Sequence, residues 1–290
     1  MRLITTVAEM AQAAEIGRKR GNVGFVPTMG FLHAGHESLI RRAARECDLT
    51  AVSIFVNPLQ FGAGEDLAAY PRDLDRDLEL AERSGAELAF VPPTEEMYPR
   101  PMAATVSVQG VGDAWEGESR PTHFAGVATV VAKLFAIVGP SRAYFGDKDF
   151  QQLAVIRRMA GDLSLPVEVV GCPTVRDADG LALSSRNIYL SPAERQAAPV
   201  LYRALLAGRR RVQEAGERAP AAVEDAMRAV VAAEPLAALD YAAAVGASDL
   251  SRPERLSGEV RLLIAARVGP ARLIDNLGTL SPNPSATSVT

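Results

Sequence analysis

Over roughly the first 172 residues, short apolar runs alternate with stretches of helical periodicity. Val23 to Val26, Leu49 to Val56, Glu87 to Val91, Arg142 to Phe145 and Pro166 to Val170 read as strands. Between them, Asp73 to Arg83 has the charged periodicity of a surface helix, and Asp149 to Asp162 is also helical in pattern. Phe124, Val127, Val130, Val131, Leu134, Phe135 and Val138 recur at the spacing of one apolar helix face. Strand followed by helix, repeated, predicts an α/β domain with a parallel sheet.

After Cys172-Pro173 the pattern changes. Two alanine-rich helices, Pro192 to Ala215 and Pro220 to Ala233, precede strand-like runs at Leu239 to Val245, Val260 to Val268 and Arg272 to Asn276. Grouped helices followed by grouped strands predict a smaller α+β domain with an antiparallel sheet. The expected domains are therefore residues 1–173 and 174–280. Residues 281–290, polar and proline-rich, read as a disordered tail.

Composition adds exclusions. An apolar fraction of 48% over 290 residues suits a globular protein of two domains, and a net charge of −4 argues against nucleic acid as main partner. The Arg209-Arg210-Arg211 run reads as a solvated helix face. Cys47 and Cys172 lack the spacing of a disulfide scaffold, zinc ribbon or redox pair, and read as small buried side chains in a reducing compartment. No run approaches the length of a membrane span and no export signal opens the chain, so a soluble, cytoplasmic protein is expected.

Two of the three histidines fall in one turn, Pro27-Thr28-Met29-Gly30-Phe31-Leu32-His33-Ala34-Gly35-His36, where a predicted strand runs into a helix. Unpaired N–H groups and the positive end of the macrodipole attract anions at a helix start, and His33 and His36 add donors for phosphoryl oxygens. Incidental polar residues and a zinc pair are the competing readings, but no third ligand stands nearby. Asn57-Pro58-Leu59-Gln60 leaves the next strand with two amides suited to hydroxyl and carboxylate groups, or forms a plain turn. Gly146-Asp147-Lys148-Asp149-Phe150-Gln151-Gln152 opens another helix, with Lys148 as a point charge or simply solvated, and Asp149 as a cap or a ribose ligand. Ser184, Ser185 and Arg186 place two hydroxyls and a guanidinium in a row, which suits a polyphosphate or a polar loop. In an open parallel sheet these strand-end segments are expected to share a crevice at the point where strand order reverses, next to the domain boundary. His123 reads as a cap or interface residue, and Trp115 lies in a loop rich in Gly and Glu.

Together the Pro-Thr-Met-Gly and Leu-His-Ala-Gly-His turn, Phe55-Val56-Asn57-Pro58-Leu59-Gln60-Phe61, Pro121-Thr122-His123-Phe124-Ala125-Gly126-Val127, Gly146 to Leu153, and Leu183-Ser184-Ser185-Arg186-Asn187 resemble, in this order, the pantothenate synthetase (pantoate–β-alanine ligase) family. The likeness runs to about residue 280. It implies a Rossmann-like parallel-sheet domain of the nucleotidylyltransferase type, a smaller α+β C-terminal lid domain, and a homodimer. By motif match, Met29, Gly30, Phe31, Leu32, His33, Ala34, Gly35, His36, Gly146, Asp147, Lys148, Asp149, Val175, Leu183, Ser184, Ser185 and Arg186 would bind ATP. Gln60, Gln152 and Asn57 would hold pantoate, with Gln60 also near β-alanine, and His36 would be the proton donor, with His33 and Lys148 assisting. The chain has Leu183 where the family usually has Met, a volume-conserving change, and Asp147 where Glu is usual, a shorter reach.

The implied reaction joins (R)-pantoate to β-alanine through a pantoyl adenylate, releasing diphosphate and then AMP, with Mg²⁺ carried on the ATP phosphates and no protein metal cage. No Ser-His-Asp or Cys-His arrangement is visible, so positioning and electrostatics carry the chemistry. Gly62-Ala63-Gly64-Glu65-Asp66, beside Gln60, reads as a gate over the adenylate. The rivals are a nucleotidylyltransferase that stops at an adenylylated product, an aminoacyl-tRNA synthetase, which would want a Lys-Met-Ser-Lys-Ser-like loop and a basic tRNA-binding domain, and a non-catalytic nucleotide sensor.

Overall fold

The computed structural model describes residues 1–62 and 64–281; Ala63 of the expected gate and all of the expected tail but Ser281 lie outside the described residues. Its contacts divide the chain into two units, Met1–Asp147 with Gln151–Thr174, and Lys148–Phe150 with Val175 onward.

The first unit carries six parallel strands: β1 (Arg2–Ile4), β2 (Val23–Thr28), β3 (Leu49–Ile54), β4 (Leu88–Phe90), β5 (Ser141–Gly146) and β6 (Val167–Cys172). They are ordered β1-β4-β3-β2-β5-β6. The chain passes from β2 to β3 on one side and later enters β5 on the other, so strand order reverses between β2 and β5. Their carboxyl ends define the topological switch point. Helices α1 (Val7–Arg18), α2 (Ala34–Glu46) and α3 (Leu74–Arg83) make the early crossovers. The short α4 (Thr94–Met97) and α5 (Glu116–Ser119) precede α6 (His123–Val138), and α7 (Phe150–Asp162) follows β5.

Strand side chains alternate between two cores, as the period of two requires. Phe25, Ala51, Phe90 and Phe145 join a core shared with α1, α6 and α7, whereas Val26, Val52, Ala89 and Tyr144 join one shared with α2 and α3. Continuous apolar runs such as Leu49–Ile54, buried at all six positions, are what a sheet covered on both faces produces. The long helix α6 comes close to the loop after β3 because residue 126 is Gly: a Cβ there would lie 2.2 Å from the Leu59 carbonyl oxygen.

The second unit has helices α8 (Pro192–Ala197), α9 (Val200–Gln213) and α10 (Pro220–Ala232), then strands β7 (Ala237–Gly246), β8 (Gly258–Val268) and β9 (Ala271–Ser281) in an antiparallel sheet. Leu201, Leu205, Met227, Leu262, Ile264 and Leu273 form its core. The single helix expected over 192–215 is two helices, because Pro199 has no N–H to continue the first and its fixed φ of −61° starts the second. The helix expected from Asp149 begins at Phe150, after a 3₁₀ turn at Asp147–Asp149. The strand expected at Arg272 to Asn276 extends to Ser281, so the expected tail loses its first residue to the sheet.

Candidate active site

The turn after β2 is built from the inside. Thr28 anchors it, donating its hydroxyl to the Ser53 carbonyl at 2.7 Å and accepting the Gly30 N–H at 3.2 Å. Gly30 (φ 87°) and Phe31 (φ 49°) then take left-handed conformations, which Gly adopts freely and Phe does not. The strain at Phe31 is held by Asp77 on α3, whose carboxylate accepts the N–H groups of Phe31 and Leu32, each at 2.6 Å. Asp77 is 1% exposed, and burial pushes its pKa up against the lowering effect of those two N–H groups. Leu32 is itself wholly buried, so it offers a ligand no side-chain surface.

His33 is the N-cap of α2. Its Nδ1 accepts the Gly35 N–H at 3.1 Å, and the Nδ1 of His36 accepts the His33 N–H at 3.3 Å, a capping box made of two imidazoles with ring centroids 4.2 Å apart. With both Nδ1 atoms accepting, each neutral ring carries its proton on Nε2. This corrects one expectation. The N–H groups of Gly30, Phe31, Leu32, His33 and Gly35 are satisfied within the protein, so those amides are not left open for an anion.

The segment after β3 forms a 3₁₀ turn, Pro58–Gln60, capped by Asn57. Asn57 is 1% exposed and uses its whole amide: Oδ1 accepts from the Leu59 N–H (3.2 Å) and the Tyr98 hydroxyl (2.8 Å), and Nδ2 donates to Gln60 Oε1 and the Gly126 carbonyl (both 3.1 Å). Asn57, expected to touch substrate, thus turns every polar atom inward, one of its bonds going to Gln60. Gln60 in turn donates from Nε2 to the Met29 sulfur at 2.9 Å, which joins the turns after β2 and β3. Its backbone carbonyl is held by His123 Nδ1 at 3.0 Å and by Arg120 at 3.3 Å. Arg120 also forms a bidentate pair with Glu65. His123 is buried, and desolvation, with the neighbouring Arg120 charge, lowers its pKa to about 4.

Of the two glutamines opening α7, Gln151 is buried and clamps a loop, donating to the carbonyls of Val111 (2.9 Å) and Ala114 (2.7 Å) and accepting the Glu116 N–H (3.1 Å). Gln152 is half-buried. Met29, His33, His36, Gln60 and Gln152 therefore all follow the carboxyl ends of β2, β3 and β5.

In the second unit, the Lys148 backbone carbonyl accepts from Asn276 Nδ2 (2.8 Å), and Arg261 bonds Asn276 Oδ1 (3.0 Å) while lying 3.6 Å over the Phe150 ring. The Lys148 ammonium pairs with Asp149 at 3.2 Å. Val175 and Leu183 are neighbours through the Leu183 N–H to Val175 carbonyl bond (3.0 Å) beside an isolated bridge at Arg176 and Ala182. Ser184 caps the turn Ser185–Tyr189 by accepting the Arg186 N–H. Gly146 and Asp147, by contrast, lie in the first unit.

Among the described residues, no three His, Cys, Asp or Glu side chains converge as a metal site, and no helix is long and apolar enough to cross a membrane.

A parallel sheet with paired imidazoles and amides at its switch point defines a nucleotide-handling α/β enzyme. The pantoate–β-alanine ligase family model matches residues 2–278. Pantothenate synthetase from Heliobacterium modesticaldum is 55% identical over 278 residues, covering 96% of this chain and 99% of its own length. The pantothenate synthetase structure from Thermus thermophilus superposes with a TM-score of 0.91 at 53% identity, over 96% and 99% of the two chains. A pantoate–β-alanine ligase structure from Francisella tularensis, complexed with β-γ ATP and β-alanine, gives 0.79 at 32% identity over 96% and 97%. The chain belongs to the pantoate–β-alanine ligase family, and its activity is the ATP-dependent ligation that makes pantothenate.

Proposed function

We propose that the ligation proceeds in two steps on the residues described above. A carboxylate oxygen of (R)-pantoate attacks the α-phosphorus of ATP, and diphosphate leaves. The amine of β-alanine then attacks the acyl carbon of the pantoyl adenylate, and AMP leaves with the electrons of the acyl–oxygen bond. The observation that carries this reading is the pairing of two site types on adjacent strands: imidazole Nε2–H donors after β2 and the Gln60 amide after β3.

His36 and His33 donate to phosphoryl oxygens as negative charge accumulates, which is the differential stabilisation that accelerates the step. His36, expected as proton donor, acts in this tautomer by sharing its Nε2–H in a hydrogen bond, because the His33 N–H on its Nδ1 keeps that hydrogen at Nε2. Met29, Gly30, Phe31, Leu32, Ala34 and Gly35 shape the nucleotide turn, with Leu32 acting through its backbone. Gln60 and Gln152 hold pantoate, and Gln60 also serves β-alanine. Lys148 neutralises phosphate charge, aided by Ser184, Ser185 and Arg186, while Gly146, Asp147, Asp149, Val175 and Leu183 complete the ATP contacts. Mg²⁺ carried on the ATP phosphates would lower their negative charge. The family resemblance supports a homodimer, and cysteines without a disulfide framework fit a reducing compartment such as the cytoplasm; light scattering and fractionation test the two.

The deciding experiment supplies Mg-ATP and D-pantoate with and without β-alanine, and follows diphosphate, AMP and ADP separately. Diphosphate with pantoate alone, and AMP plus amide only after β-alanine is added, is the expected pattern. ADP formation, or indifference to β-alanine, overturns it.

A further inference from the structure

We propose that Tyr98 is a positioning residue that sets the direction in which the Gln60 amide faces its substrate, acting through Asn57. This rests on the reading that Gln60 holds pantoate. The polarity of the chain of amides follows from donor and acceptor identity alone. The Leu59 N–H can only donate and the Gly126 carbonyl can only accept, so they fix which end of the Asn57 amide is oxygen and which is nitrogen. Tyr98 then supplies the shortest of the four bonds to that amide, 2.8 Å, and fixes where its plane lies. The remaining Nδ2 hydrogen points at Gln60 Oε1, which turns the oxygen of Gln60 inward and leaves its NH₂ directed to the Met29 sulfur.

That direction matters for a carboxylate-bearing substrate. A carboxylate accepts hydrogen bonds and cannot donate them, so Gln60 must present nitrogen, and the reversed amide would set oxygen against oxygen. Thioether sulfur is a weak acceptor, which a substrate oxygen displaces at small cost. Tyr98 is itself held from outside the site. Lys133 on α6 donates to the Met97 carbonyl and lies 5.5 Å over the Tyr98 ring, and Phe55 packs edge-on to it at 5.9 Å. Burial pushes the phenol pKa up to about 12, so the hydroxyl keeps the proton it donates throughout the neutral range.

The test is a double-mutant cycle on Tyr98→Phe and Gln60→Ala in the full chain, read as diphosphate release with varied pantoate and varied ATP. Tyr98→Phe keeps the ring and its packing and removes only the donor. It is expected to raise KM for pantoate about tenfold, the size of one lost hydrogen bond to a buried acceptor, with KM for ATP unchanged. In the Gln60→Ala background the same change is expected to do nothing further. An unchanged pantoate KM, or an equal effect with and without Gln60, overturns the proposal. If the unaltered protein releases no diphosphate with pantoate, the functional reading falls instead, and the relay is then decided by the ¹⁵N side-chain amide resonances of the ligand-free chain. Movement of the Gln60 amide on Tyr98→Phe supports the relay, and an unmoved resonance overturns it.

Discussion

Asp77 holds Phe31 in a left-handed conformation: the carboxylate Oδ2 accepts the Phe31 N–H at 2.6 Å while φ at Phe31 is 49°. The second oxygen takes the Leu32 N–H, so one buried side chain sets two consecutive backbone groups of the histidine turn. Arg76, the residue before it on α3, lies 5.0 Å over the Phe31 ring and steadies the same turn.

Asp77→Asn conserves shape but replaces one acceptor with a donor aimed at an N–H. A buried N–H left without a partner costs about 1–3 kcal/mol, and the strain at Phe31 loses its counterweight. Urea unfolding is expected to show a loss of about 2–3 kcal/mol, with weaker nucleotide binding by calorimetry. Stability within 0.5 kcal/mol or so of the parent protein contradicts the role given to Asp77.

His36→Ala removes the proposed phosphoryl donor and half of the capping box. The expected result is a fall of about a hundredfold or more in pantoate-dependent diphosphate release, set against a stability loss of only about 1 kcal/mol. An adenylation rate equal to that of the parent protein removes His36 from the chemistry.

The neutral His123 makes stability depend on pH. Its folded pKa of about 4 lies below the ordinary 6.5, so the native state binds fewer protons than the unfolded chain between those values. Stability is therefore full above pH 6.5 or so and declines as pH falls toward 4, by about 2 kcal/mol between pH 7 and pH 5. His123→Asn places a non-titrating donor near the Gln60 carbonyl. Paired urea melts at the two pH values are expected to show that difference shrink, and a difference that persists assigns the acid sensitivity to other groups.

Asn276→Ala frees the Lys148 carbonyl from β9. Because the bond is to backbone, the Lys148 charge stays and only its placement loosens. KM for ATP is expected to rise about three- to tenfold, with KM for pantoate unchanged, as befits one hydrogen bond. Equal changes in both constants point to a general disturbance of the fold.

The parts of this architecture written locally in the chain were the readable ones. β2, β3 and β4 announce themselves as apolar runs because their side chains are buried on both faces of the sheet, whereas β1, with Arg2 and Leu3 exposed, carries no such run. Pro199 is visible in the sequence, yet its neighbours keep helical spacing on both sides, so one long helix looked continuous. At the site, the paired histidines and the amides after β3 stood out because motif and chemistry lie within ten residues. Asp77 did not, since α3 reads as a charged surface helix. The missed signal was its place in the buried stripe with Leu80, Ala81 and Ser84, at the i, i+3, i+4 and i+7 spacing of an inward face. Tyr98 gave no local signal: its partner Asn57 is 41 residues away, and only the folded chain brings them together.

Met29 has a consequence in oxidative chemistry. Its sulfur stands within hydrogen-bond distance of Gln60 Nε2 and is only half-buried. Oxidation to the sulfoxide would turn a weak acceptor into a strong one that competes with substrate for that amide. Peroxide is thus expected to inactivate the protein at a single thioether, methionine sulfoxide reductase to restore it, and bound pantoate to shield it. On the proposed role of Gln60, the same softness that would let Met29 yield to a substrate oxygen makes it the site's weak point under oxidant stress.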